Sequence, residues 1–205
     1  MQKEHVALLL SMTESARITS RGNVAVVIGG GTGRTEETQE AIVEYISQVD
    51  VPLVVDADAI HAIAKVPAIV KDKRFLLTPH TYEFFVLTQR EVYKLSDEEK
   101  VKIVKEEAEK IGDIILLKGK RDIISDGEKV VLNETGSPYM SVGGTGDTLA
   151  GICGALLARG TDFFKAAQAA AYINGKAGER AAERLKESML ATDLIDEIPK
   201  VLDEK

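Results

Sequence analysis

The run Met140-Ser141-Val142-Gly143-Gly144-Thr145-Gly146-Asp147-Thr148-Leu149-Ala150-Gly151 places one carboxylate, Asp147, directly after the glycine loop Gly143-Gly144-Thr145-Gly146. An apolar, alanine-rich stretch from Thr148 to Ala158 follows and reads as a buried helix. A glycine loop that runs into a helix start offers backbone N–H groups and the positive end of the helix dipole, a combination that holds an anion, most often phosphate. A carboxylate at the lip of such a loop repels phosphate, so it needs a task there: taking a proton from a hydroxyl or holding a metal ion. No Gly-Lys-Ser/Thr follows, which excludes a Walker loop, and the strand-then-GxGxxG context of a dinucleotide fold is absent. Glycine loops also serve tight packing alone, so the remaining clusters carry weight.

Gly29-Gly30-Gly31-Thr32-Gly33 would let a ligand approach the backbone closely, or would simply make a tight strand-to-helix turn. Asp56 and Asp58 flank Ala57. Asp58 would cap a helix starting near Ala59, or the carboxylate pair would organise Mg²⁺ through water. Thr78-Pro79-His80-Thr81-Tyr82-Glu83 joins a rigid turn to a histidine and to a glutamate one helical turn on. His80 would hydrogen-bond an uncharged ligand group or a phosphate, the alternative being a cap on the strand end. With no third His or Cys ligand, a metal pair is disfavoured there. Lys118-Gly119-Lys120-Arg121-Asp122 gathers three cations in an acidic chain, and Gly119 beside Lys118 favours nucleotide contact over a solvated turn.

These clusters need elements to position them. Val24–Ile28, Leu53–Val55, Phe75–Leu77 and Ile114–Leu117 are short apolar runs that read as buried parallel strands. Helical spacing predicts helices over Glu36–Val49, from about Ala59 to Ala64 and over Glu83–Thr88. A further helix runs to about Ile111 and is opened by the capping box of Ser96 and Glu99. Asp126-Gly127 between Asp122–Ser125 and Lys129–Asn133 signals a hairpin. From Thr148 onward the chain reads as helical, to about Arg159, then about Asp162 to Lys186, then about Thr192 to Leu202. Strands alternating with helices imply an α/β fold, a mostly parallel sheet covered on both faces. Ligands bind such sheets beyond the carboxyl ends of the strands. Gly29–Gly33, Asp56–Asp58, Thr78–His80 and Lys118-Gly119 all fall there.

The chain has 205 residues, a size for one domain with a sizeable core, and 44% hydrophobic with 29% charged residues is ordinary for a globular protein. Its net charge of −7 argues against non-specific nucleic-acid binding. Any phosphate site must therefore be built from backbone amides, a few placed cations or a metal. No apolar run approaches the ~20 residues of a membrane span. Val6–Leu10 is too short for a leader, without a basic flank or cleavage site. The single cysteine, Cys153, precludes an internal disulfide and is expected to be packing inside an apolar helix, which suits a cytoplasmic protein.

Taken together, the glycine turn Gly29–Gly33, Val55-Asp56-Ala57-Asp58-Ala59, Leu77-Thr78-Pro79-His80 with Glu83, Leu117-Lys118-Gly119 and Gly143-Gly144-Thr145-Gly146-Asp147 resemble the ribokinase-like NAD(P)H-hydrate dehydratases. Asn133 with Thr135-Gly136-Ser137-Pro138 extends the resemblance, which runs from about Asn23 to Leu202. It implies repair of hydrated NADH or NADPH: a nucleoside phosphate, ADP or ATP, phosphorylates the hydrate hydroxyl, commonly with Mg²⁺, and phosphate then leaves. It implies that Gly31, His80 and Asp147 contact the hydrate, with Asp147 as the base. Lys118, Gly119, Lys120, Arg121 and Asp122, together with Gly144, Thr145 and Gly146, would line the nucleotide site. No metal ligand is assigned. A homo-oligomer, a tetramer as in the family, is expected.

The chain departs from the family in its Gly-Gly-Gly-Thr-Gly turn, in Ser137 for Asn, and in Asp122 where Thr is common. The resemblance also implies that the glycine-rich strand–helix region with which family domains begin is missing, so residues 1–205 are expected to form a single, N-terminally short domain, either a truncated form or one completed by another segment or chain. The epimerase domain often fused to the family is not expected within these residues. A small-molecule kinase of the same fold, of the hydroxymethylpyrimidine or hydroxyethylthiazole type, and a non-catalytic nucleotide-binding module are the competing readings.

Overall fold

A computed structural model describes residues 1–70 and 74–203. Its centre is a six-stranded sheet in the order β1 (Val26–Ile28), β2 (Leu53–Val55), β3 (Phe75–Leu77), β4 (Ile114–Leu117), β5 (Asp122–Ser125) and β6 (Val130–Asn133). The first four strands are parallel, and the last two run antiparallel as the expected hairpin. The apolar runs are continuous because both faces of the sheet are buried. Leu53, Val55, Phe75, Leu77, Ile115 and Leu117 face one core. It is shared with α2 (Glu36–Gln48), α3 (Ala57–Ile63), α4 (Thr81–Thr88) and α5 (Asp97–Ile111). Val54, Leu76, Leu116 and Ile124 point the other way, onto α6 (Thr145–Ala158) and α7 (Phe163–Leu185). A last helix, α8 (Ala191–Asp203), packs on α7.

Local chemistry sets the ends of these elements. Thr35 caps α2 by accepting from the Thr38 N–H at 3.2 Å. Ser96 and Glu99 form the expected box, at 3.3 and 2.8 Å, and Gly112 closes α5 in the left-handed region. In the hairpin turn the Asp126 carboxylate accepts from the Glu128 and Lys129 N–H groups.

Three helices start earlier than their sequence patterns predict: α3 at Ala57, α4 at Thr81 and α6 at Thr145. Their first turns are Ala57-Asp58-Ala59, Thr81-Tyr82-Glu83 and Thr145-Gly146-Asp147. They carry no apolar periodicity, which is the signal that marks a helix in the sequence. The strand predicted from Val24 begins at Val26. Helix α1 (Val6–Thr19) was not foreseen: only Val6 is buried along it, so it lacks a marked stripe. It is held to α2 by the Thr13 and Tyr45 hydroxyls, 2.6 Å apart, and by Lys3 against Glu40.

Cys153 is fully buried between α6 and the sheet, and burial pushes its thiol up to about 12, as packing predicts. At the amino end of β4, Asp113 accepts from the Phe75 N–H at 2.8 Å, while its second oxygen has no partner. Burial pushes this carboxyl up to about 7, against the opposing hydrogen bond from Phe75.

Candidate active site

Because β1 to β4 are parallel neighbours, their carboxyl ends lie side by side, and the residues following them meet at one rim. Gly29 packs on the end of β2 so closely that a side chain there would collide with the Asp56 carbonyl. Gly30 packs on Asp147: a β-carbon on Gly30 would lie 2.5 Å from the Asp147 carboxylate. The glycine turn and the anion loop, far apart in sequence, therefore meet at Asp147, in the first turn of α6. Asp147, Asp56, Gly29 and Gly30 border a cavity of about 570 Å³. It runs along the edge of β1 that pairs with no strand among the described residues, beneath α1, and Leu9 and Tyr45 also line it.

Gly144 is the N-cap of α6 and sits in the left-handed region at φ 99°. Gly146 is already helical. The Thr145 hydroxyl turns inward to the carbonyls of Met140 and Val142, at 2.8 and 3.1 Å, so only its N–H is offered to a ligand. The first N–H groups of α6 have no partner within the helix, and they supply the donors the sequence implies.

Asp56 and Asp58 separate. Ala57 between them adopts φ 46°, an uncommon conformation for a residue with a side chain, and it sends the two carboxylates in different directions. Asp58 does not cap α3. It accepts from the Gly33 N–H at 2.9 Å and pairs with Arg34 at 2.5 Å, clamping the glycine turn. Burial works to raise its pKa, but the Arg34 guanidinium and the Gly33 N–H outweigh it and hold the carboxyl low. The Asp56–Asp58 pair read as an Mg²⁺ organiser is thus not formed.

Asp56 turns inward instead. It accepts from the Thr78 hydroxyl at 2.8 Å and meets the Lys118 ammonium at 2.7 Å. Glu83 lies 3.8 Å from the same ammonium. Asp56 and Glu83 are both buried, so their charges depend on this cation and on local donors. His80 is the N-cap of α4, not a strand cap. Its Nδ1 accepts from the Tyr82 and Glu83 N–H groups, and Glu83 answers by accepting from the His80 N–H at 2.8 Å. The imidazole is half-exposed, and its Nε2 lies 3.3 Å from a Glu83 carboxylate oxygen. Behind it, His61 has a buried Nε2 with no partner; burial, and then Arg34, lower its pKa.

The cation cluster is divided. Lys118 points into the site. Arg121 spans Asp97 and Glu134, at 2.9 Å each, and so ties the start of α5 to the end of the hairpin. Asp122 folds the turn by accepting from the Gly119 N–H and from Asn133. Burial raises its pKa, against the hydrogen bonds from Asn133 and Gly119. Lys118, Gly119, Lys120 and Arg121 line a second cavity of about 320 Å³ with Thr81 and Lys100. Sequence reading missed the Asp56–Lys118–Glu83 cluster, since only the parallel order of the strands brings those residues together. Among the described residues no group of three or more His, Cys, Asp or Glu side chains is arranged to hold a metal.

A parallel sheet covered on both faces, with a glycine loop and an acidic first turn on α6 over the strand ends, defines a ribokinase-like α/β protein. The chain belongs to the NAD(P)H-hydrate dehydratase family, whose pattern it matches over residues 2–200. It is 45% identical over 183 residues to a bifunctional NAD(P)H-hydrate repair enzyme Nnr of Hyperthermus butylicus, a match covering 87% of this chain and 34% of that protein. An ADP-dependent (S)-NAD(P)H-hydrate dehydratase of Cenarchaeum symbiosum is 38% identical, over 87% of this chain and 61% of that one. Among solved structures, the Bacillus subtilis ADP/ATP-dependent NAD(P)H-hydrate dehydratase co-crystallized with ATP/Mg²⁺ superposes with a TM-score of 0.75 at 33% identity. That superposition covers 87% of this chain and 63% of that chain. The chain thus spans about a third of the length of its bifunctional relative.

Proposed function

We propose that this chain carries the dehydratase chemistry of nicotinamide nucleotide repair: ADP- or ATP-dependent dehydration of hydrated NADH or NADPH. The observation that carries the reading is the meeting of Asp147 with Gly30 at the start of α6. It sets a carboxylate where two glycine loops leave room for a substrate and where unpaired helix N–H groups await a phosphate. Asp147 takes the proton of the hydrate hydroxyl as that oxygen bonds to the transferred phosphoryl group. Hydroxide is a poor leaving group and phosphate a good one. Loss of phosphate from one ring carbon and of a proton from its neighbour restores the double bond. Gly31 and His80 contact the hydrate. The nucleotide lies across Lys118–Asp122 and the first turn of α6, Gly144 to Gly146.

Asp56 and Glu83 are taken up by the Lys118 ammonium, so a magnesium ion would come with the nucleotide and would supply charge neutralisation at its phosphates. The single buried cysteine agrees with a cytoplasmic setting, and among the described residues no helix is long and apolar enough to cross a membrane. Residues 1–205 act as one domain whose site is finished at β1. Among the described residues that strand pairs on one side only, and the 570 Å³ cavity along its free edge takes a segment from another chain or copy.

The test is incubation with hydrated NADH and ADP or ATP, following the absorbance of the restored dihydronicotinamide. A stable phosphorylated product would mark a kinase, and nucleotide binding without turnover a binding module. Asp147→Asn is expected to lower turnover ~10²–10⁴-fold while ADP binds as before. A variant keeping more than half its activity would remove Asp147 from the role of base.

A further inference from the structure

We propose that Asp56 and Glu83 are positioning residues that hold the Lys118 ammonium over the start of α6, where it meets the transferring phosphoryl group. The inference deepens the reading above and rests on it. A lysine that follows a strand end ordinarily extends its flexible stem into water. The Lys118 side chain does the opposite: it is 19% exposed, and its ammonium sits 2.7 Å from Asp56 and 3.8 Å from Glu83. Both carboxylates are themselves fixed, Asp56 by the Thr78 hydroxyl and Glu83 by the His80 N–H. Three strand ends, those of β2, β3 and β4, therefore fix one cation.

The place where it is fixed is informative. A β-carbon on Gly146 would lie 3.6 Å from the Lys118 ammonium, so the cation rests against the first turn of α6. An anion bound there meets the unpaired helix N–H groups and the ammonium together. A glycine at this position leaves the space between them open. A structural ion pair needs one carboxylate, yet two surround this single ammonium, and both are buried. The second carboxylate restricts the ammonium from the α4 side, which suits a cation whose position matters more than its pairing.

The test is a double-mutant cycle on Asp56→Asn and Lys118→Met, with thermal unfolding run on every variant. Turnover of hydrated NADH and calorimetric affinity for ADP are both measured. Each single change is expected to lower kcat about 10²-fold with the KM for the hydrate within about twofold. The double variant is expected to be no worse than Lys118→Met, because Asp56 acts through the lysine. Factors that multiply, or an Asp56→Asn enzyme with kcat within about twofold of the parent, would overturn the proposal. If Asp56→Asn does not fold, Glu83→Gln, which leaves the 2.7 Å pair in place, enters the same cycle. If the parent chain turns over no hydrate, the functional reading fails, and the cycle is then decided on ADP affinity. Non-additive losses there keep the positioning role; additive losses, or none, reject it.

Discussion

Gly30→Ala puts the assignment of Asp147 to a quantitative test. Gly30 has no positive φ, so its backbone accepts alanine. The only atoms within 4 Å of the added methyl belong to the Asp147 carboxyl, at 2.5 Å for the nearer oxygen and 3.6 Å for its carbon. Ordinary contact starts at 3.4 Å, so the carboxylate must withdraw by about 0.9 Å. Misplacing a reacting group by about 1 Å costs about 10²-fold in rate, about 2.7 kcal/mol of barrier. The fold meets no other obstacle, so the stability change is expected to stay below ~1 kcal/mol. Gly31→Ala is the control. Gly31 has φ 65° and nothing within 4 Å of an added methyl, so alanine there costs about 1–2 kcal/mol of backbone strain and leaves Asp147 in place. In steady-state assays with hydrated NADH, Gly30→Ala should lose kcat, whereas Gly31→Ala should lose stability and raise the KM for the hydrate. Equal kcat values for the two variants, or a Gly30→Ala enzyme with more than half the parental kcat, would refute the placement of Asp147 at the reacting centre.

The Asp113 carboxyl, at about 7 folded against 3.8 as its ordinary value, should make the fold lose stability as pH rises through that window, because the unfolded state gives up its proton first. The loss amounts to at most about 4 kcal/mol; denaturant melts of Asp113→Asn between pH about 4 and about 7 should be flatter than the parent's, and parallel curves would discard the assignment. The isolated chain should associate and turn over hydrate poorly when monomeric, because β1 is open on one side and borders the Asp147 cavity. Light scattering and the hydrate assay on one sample decide this, and a monomer with full turnover would show the pocket complete.

The strands were legible in the sequence because a sheet buried on both faces writes uninterrupted apolar runs, as in Leu53–Val55 and Phe75–Leu77, and glycines or acids end each run at the site. Asp147, His80 and the glycine turns stood out in the sequence for the same reason: they interrupt the apolar pattern at strand or helix ends. What periodicity could not carry were the first turns of α3, α4 and α6, which hold few apolar side chains to form a stripe. Helix α1 escaped because it rests on its neighbours through few side chains. The directions of Asp56 and Asp58 escaped because a single residue, Ala57, sets them through its backbone. Lys118 was found as part of a cation run, but its separation from Lys120 and Arg121 depends on buried carboxylates 62 and 35 positions away.

In the function proposed above, that separation is how an acidic chain would hold anionic ligands. The net charge of −7 is spread over the surface, and salt screens exposed charges beyond about 8 Å at physiological ionic strength. A phosphate at the start of α6 therefore responds chiefly to the groups within that distance. These are the unpaired N–H groups of the first turn and the Lys118 ammonium, whose flexible stem would be free to turn away without Asp56 and Glu83. Arg34 and Arg121 are committed to carboxylates, Asp58 in one case and Asp97 with Glu134 in the other, and they shape loops more than they supply field. Asp147 sits in the same first turn, at the positive end of the helix dipole. In the reaction proposed above, base and phosphate would thus share one source of positive potential, and the Lys118 ammonium beside Gly146 would add to it.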